Sequence, residues 1–515
     1  MKMNQIKVGA LLSYLQLALT VIVGMLYTPI MIRLLGQSEY GLYNTVSSTV
    51  AMLGILSLGL NSGYIRYYSR YKANGDEQSV SVLNGTFMFV FGIIGAIALV
   101  AGGILTYNLD LVFKSGLTAE EYDIAEALML ILTLNMAISF PMSVFGNIIS
   151  AHEKFVFLKI LGMIKTVAGP MVTLPLLLLG YRSVAMVTVS LVISLAVDTV
   201  YMIYVLFVLK CKFTFKKSKI FKELFKYTSA IALISIVDTI NWQMDKIILG
   251  RYCGTVMVAV YSVGYSLQTY YMMFSVSVMG IFTPKIHRIV NENSDEKQLK
   301  YALTDLFTRV GRLQYLLLGL VASGFVFFGK SFIGHWVGDG YGESYIVALL
   351  LMLSATIPYI QNVGIEIQRS QNKHYFRGIL YLSIAVVNLV SSIFLSQKYG
   401  AIGCAAATAF SFVIGNVIVM NVYYHKRCNI DILHFWKNIL SITKGQIVPV
   451  VVGILIMRFA DMSNIFMMFV WIGVYSVVYC LSVWLCSMNK YEKELLLNPV
   501  RKIMGVVLRR KNEKA

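Results

Sequence analysis

From Val8 to Cys486 the chain repeats one pattern: about twenty mostly apolar residues, then a short break marked by lysine, arginine, glycine or asparagine. A helix of that length spans the hydrocarbon of a bilayer, and a chain built almost wholly from such runs has lipid as its solvent. Composition agrees, since 13% of the 515 residues are charged where soluble domains carry about 25%. Mean hydropathy is +0.71. The expected fold is therefore all-α and integral to a membrane.

Hydropathy divides the chain into fourteen expected spans. Six lie near 8–34, 40–68, 80–105, 122–150, 155–179 and 183–209. Six more follow near 227–250, 255–284, 302–330, 344–369, 375–397 and 401–425. The last two lie near 445–460 and 463–487. This gives an N-lobe over 1–209, a basic linker over 210–226 and a C-lobe over 227–425. An inner loop and two extra helices occupy 426–487, and a basic tail 488–515. The first run, Val8 to Leu35, is too long for a signal-peptide core and has no A-x-A site, so it reads as a spanning helix.

The net charge of +19 suggests a nucleic-acid partner until its distribution is read. With the N-terminus cytoplasmic, thirty-three lysines and arginines fall in inner segments and seven in outer ones. The basic balance thus reports topology, with both termini inside, and no nucleic-acid partner is indicated. The tail from Asn489 onward mixes Leu495, Val500, Ile503 and Val507 with basic residues. It reads either as a helix on anionic lipid or as a disordered basic tail.

An internal repeat organises the two lobes. AHEKFVFLKIL (151–161) resembles SQNKHYFRGIL (370–380), and GYRSVAMVT (180–188) resembles GAIGCAAAT (400–408). Pro141 and Pro358 fall at similar places one helix earlier. The separation near 219 residues covers six spans, an even number, so the expected architecture is two like-oriented six-helix bundles.

The polar residues inside apolar runs are the functional candidates. The stretch Tyr227–Gly250 carries Asp238, Asn241, Gln243, Asp245 and Lys246, most of them on one helical side. A charge facing lipid at mid-depth costs at least ~2.5–3.5 kcal/mol, so that side needs a wet or protein-lined space. Asp238, level with Gln268 of the next span, reads either as neutral and hydrogen-bonded or as a carrier of a proton or cation. Asp245 and Lys246, near the outer end, read as an ordinary solvated pair.

Lys165 sits ~16 Å beyond Lys154 at 1.5 Å per residue, level with Asp198 on the next span. The two form a structural ion pair, or Lys165 meets an anionic substrate while Asp198 holds it. In LGLNSGYIRYYSR, Asn61 and Arg66 lie among Tyr64, Tyr67 and Tyr68, aromatic company that suits a sugar or headgroup; a snorkelling interfacial arginine is the other reading. Arg309 and Arg312 share one face of the ninth span, and Asn362, Glu366 and Arg369 one face of the tenth; plain interfacial charge is the alternative for both, and a simple Glu366–Arg369 pair a further one for the second. Gln16 belongs to a polar stripe with Ser13 and Thr20, for packing or for lining a cavity.

Together Arg66, Lys165, Arg309, Arg312 and Arg369 are the cations available to an anionic headgroup, pyrophosphate above all. Asp198, Asp238, Asn241, Glu366, Gln16 and Asn61 are the candidates for ion coupling or cavity lining. The six cysteines form no CxxC pair, and no glycine-rich phosphate loop, HExxH or nucleophile elbow occurs. No cofactor, metal or catalytic residue is expected.

The pattern of an apolar span, then LLGQSEYGLYN, then LGLNSGYIRYYSRY resembles the Wzx-type oligosaccharide flippases of bacterial O-antigen and capsule synthesis. The later DKIILG…VAVYSVGY is similar to the start of their second half. That family belongs to the multidrug/oligosaccharidyl-lipid/polysaccharide exporter superfamily. The resemblance implies a V-shaped pair of six-helix bundles in the bacterial plasma membrane and alternating access. It also implies movement of an undecaprenyl-pyrophosphate-linked oligosaccharide to the outer leaflet, with basic cavity residues on the headgroup. Arg66 stands at the family's second-span arginine. Anionic lipid and other polysaccharide-assembly membrane proteins are the further partners implied. A drug or cation antiporter of the same superfamily is the alternative, and a membrane-embedded polymerase or acyltransferase a more distant one.

Overall fold

The computed structural model describes residues 5–57, 60–114, 117–216, 220–292, 295–371, 373, 375–495 and 497. Among the described residues every regular element is helical. The first seven are α1 (Gln5–Leu35), α2 (Gln37–Met52), α3 (Leu60–Ala73), α4 (Glu77–Tyr107), α5 (Ala119–Ala151), α6 (Phe155–Leu178) and α7 (Arg182–Ile203). Then come α8 (Ile220–Tyr252), α9 (Thr255–Glu292), α10 (Glu296–Val337), α11 (Glu343–Ile360) and α12 (Val363–Ser370). The rest are α13 (Tyr375–Phe412), α14 (Met420–Arg427), α15 (Ile432–Thr443), α16 (Ile447–Phe459) and α17 (Ile465–Cys486).

Local chemistry sets many of the ends. Asp76 accepts from the Ser79 amide at 2.9 Å to start α4, and Thr118 with Glu121 forms a reciprocal capping box on α5. The matched glycines of the sequence repeat, Gly180 and Gly400, both hold positive φ, at 87° and 56°. Each turns the chain between two helices in a conformation that a side chain disfavours. Pro141 and Pro358 both lie inside helices, α5 and α11.

Ten stretches are long and apolar enough to cross a membrane. One of them, Tyr375–Arg427, contains the Gly400 turn. Helices α8 and α9, with their polar and tyrosine-bearing faces, are not among the ten. Helix α1 exposes Leu11, Leu15, Ile22 and Leu26 at 51–65%. At ~25 cal/mol per Å² such apolar area is tolerated only against lipid. The chain is an all-α, multi-pass membrane protein.

Three expected boundaries move. The second span is not one helix: a 3₁₀ turn at Leu53–Ser57 follows α2, and Gly59 of LGLNSGYIRYYSR lies outside the described residues. Helix α8 begins at Ile220, inside the expected linker. Between the twelfth and thirteenth expected spans lies a short amphipathic helix, α15, which buries Ile432, Phe435, Ile439 and Ile442 at helical spacing. The tail beyond 497 lies outside the described residues.

The chain groups into two compact units. The first holds Met1–Ser266, Ile346–Ala348 and Tyr375–Ser411. Its core stacks Tyr64, Phe87, Phe91 and Phe140 from α3, α4 and α5. Helices α4 and α5 approach closely where a Cβ on Gly95 would lie 2.5 Å from the Ala137 carbonyl oxygen, the small-residue packing of membrane helices. A second seam joins α2 to the start of α9, since a Cβ on Gly41 would sit 1.8 Å from the Thr255 carbonyl oxygen. Here the LLGQSEYGLYN segment acquires its roles. Ser38 bonds Thr255 at 2.7 Å, and buried Glu39 accepts from the Ser183 amide at 2.7 Å. Gly41→Val is expected to force the seam apart and cost at least ~1–3 kcal/mol, read as a lower thermal midpoint of the purified protein.

The second unit holds Leu267–Tyr345, Leu349–His374 and Phe412–Ala515. Helix α10 is its axis. It packs Phe307 on Phe435 of α15 with ring centroids 4.8 Å apart, and Phe327 and Phe328 on Tyr475 of α17. Buried tyrosines spend their hydroxyls inside, Tyr475 on Ser323 at 2.7 Å and Tyr479 on the Leu316 carbonyl at 3.1 Å.

Candidate functional site

The expected headgroup cations fall into different environments. Arg66 and Lys165 are exposed in the first unit. Tyr64, Tyr67 and Tyr68 are not company for a sugar, because all three are buried in the helical core. The Tyr64 hydroxyl donates to Asn84 at 2.7 Å. Asn61 accepts from the Asn147 amide at 2.8 Å. Lys165 acts electrostatically on half-buried Asp198 without a direct ion pair. Gln16 packs its amide over Gly162 of α6, where a Cβ would meet it at 2.5 Å.

In the second unit the cations are matched to acids. Arg309 bonds Asp305 one turn earlier at 2.7 Å and lies 5.0 Å over the Tyr491 ring. Arg369 bonds Glu366 at 2.6 Å, and that carboxylate is buried. Arg312 is buried, with its guanidinium divided among Glu492 at 2.6 and 3.0 Å, the Asn438 and Ser487 carbonyls and the Ser441 hydroxyl. All five donors of a guanidinium are accounted for by such a cradle.

On α8, Asp238 is half-buried and Asn241 is buried with no partner for its Oδ1. The dominant feature of this helix is Asp245, where the solvated pair read from the sequence is overturned: Asp245 is 2% exposed. Its Oδ2 accepts from the Tyr261 hydroxyl at 2.5 Å and the Thr408 hydroxyl at 2.6 Å, and its Oδ1 from the Ser392 hydroxyl at 3.1 Å. Lys246 does not pair with it, and places its ammonium 4.7 Å over the Tyr265 ring.

The sequence builds this cluster from two i, i+4 pairs. Asn388 and Ser392 lie on one leg of α13, and Cys404 and Thr408 on the other beyond the Gly400 turn. All four are buried, as is Tyr261. Thr188, the repeat partner of Thr408, is exposed and, among the described residues, bonds only the Val184 carbonyl of its own helix. The node therefore belongs to the second repeat alone.

Ser392 Oγ and Thr408 Oγ1 also lie 3.2 and 3.1 Å from Asn388 Oδ1. Each hydroxyl has one proton, so neither can donate to both Asp245 and Asn388. These contacts are met either with the Asn388 amide turned so that its Nδ2 donates to both hydroxyls, or, with Oδ1 inward, with a proton on Asp245 or a small cation among the oxygens. No sequence pattern announced this, because Ser392 and Thr408 lie 147 and 163 residues from Asp245 and look like ordinary membrane-helix serine and threonine.

Comparison with known proteins places the fold. The family described as polysaccharide biosynthesis protein matches residues 8–290. A probable low-salt glycan biosynthesis flippase, Agl15 of Haloferax volcanii, is 24% identical over 200 residues, which cover 38% of this chain and 41% of that protein. The capsular polysaccharide biosynthesis protein CapF of Staphylococcus aureus is 24% identical over 211 residues, 40% of this chain and 50% of that protein. The matches thus span half or less of these curated relatives. Among solved structures, the lipid II flippase MurJ in an inward closed conformation aligns with a TM-score of 0.66 at 17% identity, over 92% of this chain and 97% of that one. An inward-facing multidrug transporter of the MATE family aligns at 0.57 and 15% identity, over 81% and 99%.

Proposed function

Because the chain belongs to the polysaccharide biosynthesis protein family, we propose that it is a flippase for a polyprenyl-pyrophosphate-linked oligosaccharide. The match of that family to residues 8–290 carries this reading, and the names of the two curated relatives support it. The membrane is the bacterial plasma membrane, with both termini cytoplasmic. Halves 1–209 and 227–425 alternate access, joined by the 210–226 linker and followed by helices over 426–487 and the basic tail 488–515.

Arg66 and Lys165 are the groups this reading assigns to the pyrophosphate, since both are exposed and such cations suit a dianion. Arg309 and Arg369 sit beside acids of their own and serve the headgroup only by exchanging those partners. The oxygen cluster around Asp245 takes the coupling role that the sequence offered to Asp238 or Glu366. A carboxylate alternately protonated and charged, or alternately filled and emptied of a small cation, biases one state of a two-state transporter.

The test is complementation of a flippase-null strain. The wild-type chain is expected to restore glycan export. Arg66→Ala and Lys165→Ala are expected to lower export at unchanged protein abundance. A chain that leaves export unrestored and instead protects cells from organic cations would overturn the reading in favour of a drug antiporter.

A further inference from the structure

We infer that the first unit carries a second anion site, for a phosphate group, where the linker leaves α7 and folds against α3, α4 and α5. This rests on observations separate from those for transport. A cavity of about 330 Å³ opens there, with Lys72, Lys210 and Lys212 in its wall and Tyr68 and His152 beside them. Glu77 is the one carboxylate in the lining, and Lys72 takes it. Among the described residues Lys210 and Lys212 have no acid partner, and both line the cavity. Three lysines against one carboxylate leave the lining net positive, which a dianion offsets.

The wall is built, not accidental. The Asn84 amide donates to the Lys212 carbonyl at 3.0 Å, and the Thr214 amide donates to the Ser81 carbonyl at 3.0 Å. The Ser81 and Thr214 hydroxyls meet at 2.8 Å. Gly85 lets the linker segment this close, since a Cβ there would lie 2.3 Å from the Thr214 carbonyl oxygen. Lys210 holds φ at 52°, a left-handed conformation that costs a non-glycine residue ~1–2 kcal/mol. It is the turn that brings Lys210 and Lys212 into one lining. His152 is fixed as well. Its Nδ1 lies 2.8 Å from the Ile148 carbonyl, which can only accept, so Nδ1 carries a hydrogen. Its Nε2 lies 3.1 Å from the Tyr68 hydroxyl.

Ammonium groups around a small polar cavity are the chemistry of phosphate recognition. The space suits a phosphomonoester or a glycerophosphate headgroup. Because Lys72 belongs to the bundle and Lys210 and Lys212 to the linker, the anion clamps the linker onto the first half of the chain.

Cys211 lines the same cavity, with Sγ 3.9 Å from His152 Nε2. Burial pushes its thiol above the ordinary range, so its alkylation is slow and sensitive to what fills the space. The experiment labels the full-length protein in phosphatidylcholine nanodiscs with N-ethylmaleimide and follows the Cys211 peptide by mass spectrometry. Inorganic phosphate is added in one arm, phosphatidylglycerol replaces part of the lipid in another, and potassium chloride at matched ionic strength is the control. At a phosphate concentration about ten times Kd, labelling of Cys211 is expected to slow about tenfold, while exposed Cys486 at the end of α17 labels at an unchanged rate. Protection by both additions assigns the phosphate group from either source, and protection by phosphatidylglycerol alone assigns a lipid headgroup. Lys210→Gln with Lys212→Gln is expected to abolish protection, and Lys72→Gln serves if that pair fails to fold. Labelling unaffected in both arms, or protection that persists in these variants, overturns the site.

Discussion

Asp245→Asn is expected to reduce transport about fiftyfold while leaving the protein at wild-type abundance. One elementary charge moved across ~100 mV supplies ~2.3 kcal/mol, and at 1.4 kcal/mol per tenfold that drive is worth about fiftyfold. Asparagine keeps the shape of the side chain, and the Tyr261, Ser392 and Thr408 hydroxyls around it can turn from donating to accepting. It cannot gain or lose a proton or offset a cation. Asp245→Ala has a different consequence, because it strands those hydroxyls in a buried site. Each unmet buried donor costs ~1–3 kcal/mol, so this variant is expected to lose abundance as well. Flipping measured in proteoliposomes, beside the thermal midpoint of each variant, separates the two effects. Wild-type flipping by Asp245→Asn would reduce the cluster to a structural knot joining α8, α9 and α13.

The membrane character and most helices were legible in the sequence, because each is written in a local pattern of apolar length and flanking charge. Gly180 and Gly400 were found as a repeat, and their positive φ supplies the reason for the match. What was lost depended on distance along the chain. Asp245 next to Lys246 looks like a pair when only neighbours are considered, yet the lysine turns to Tyr265 and the carboxylate to α9 and α13. Tyr64, Tyr67 and Tyr68 looked like a binding face because three aromatics cluster beside an arginine. Helical geometry instead puts them on the buried side of α3 and Arg66 on the other. Helix α15 escaped because its twelve residues are too short for a spanning pattern.

Arg312 shows the same limit with the larger energetic consequence. Read from the sequence it is one of a pair of basic residues on an inner helical face, available to a headgroup. Its partner, Glu492, stands 180 residues later at the edge of the expected tail. The side chains of the pair are 5% and 2% exposed. Glu492 is held in turn by Asn489, whose amide donates to the carboxylate at 2.9 Å and whose Oδ1 accepts from the Glu492 amide at 2.9 Å. Arg312→Ala therefore leaves a carboxylate buried without its cation, a change that costs ~3–5 kcal/mol against a total stability of ~5–15 kcal/mol. The expected result is a collapse of abundance and of the thermal midpoint, with export lost as a consequence. Glu492→Ala is expected to do the same, which a headgroup role for Arg312 does not predict. The double variant Arg312→Met with Glu492→Leu removes both charges together and is expected to recover most of the midpoint. If Arg312→Ala instead accumulates normally and only export fails, the guanidinium serves the substrate and the ion pair is incidental.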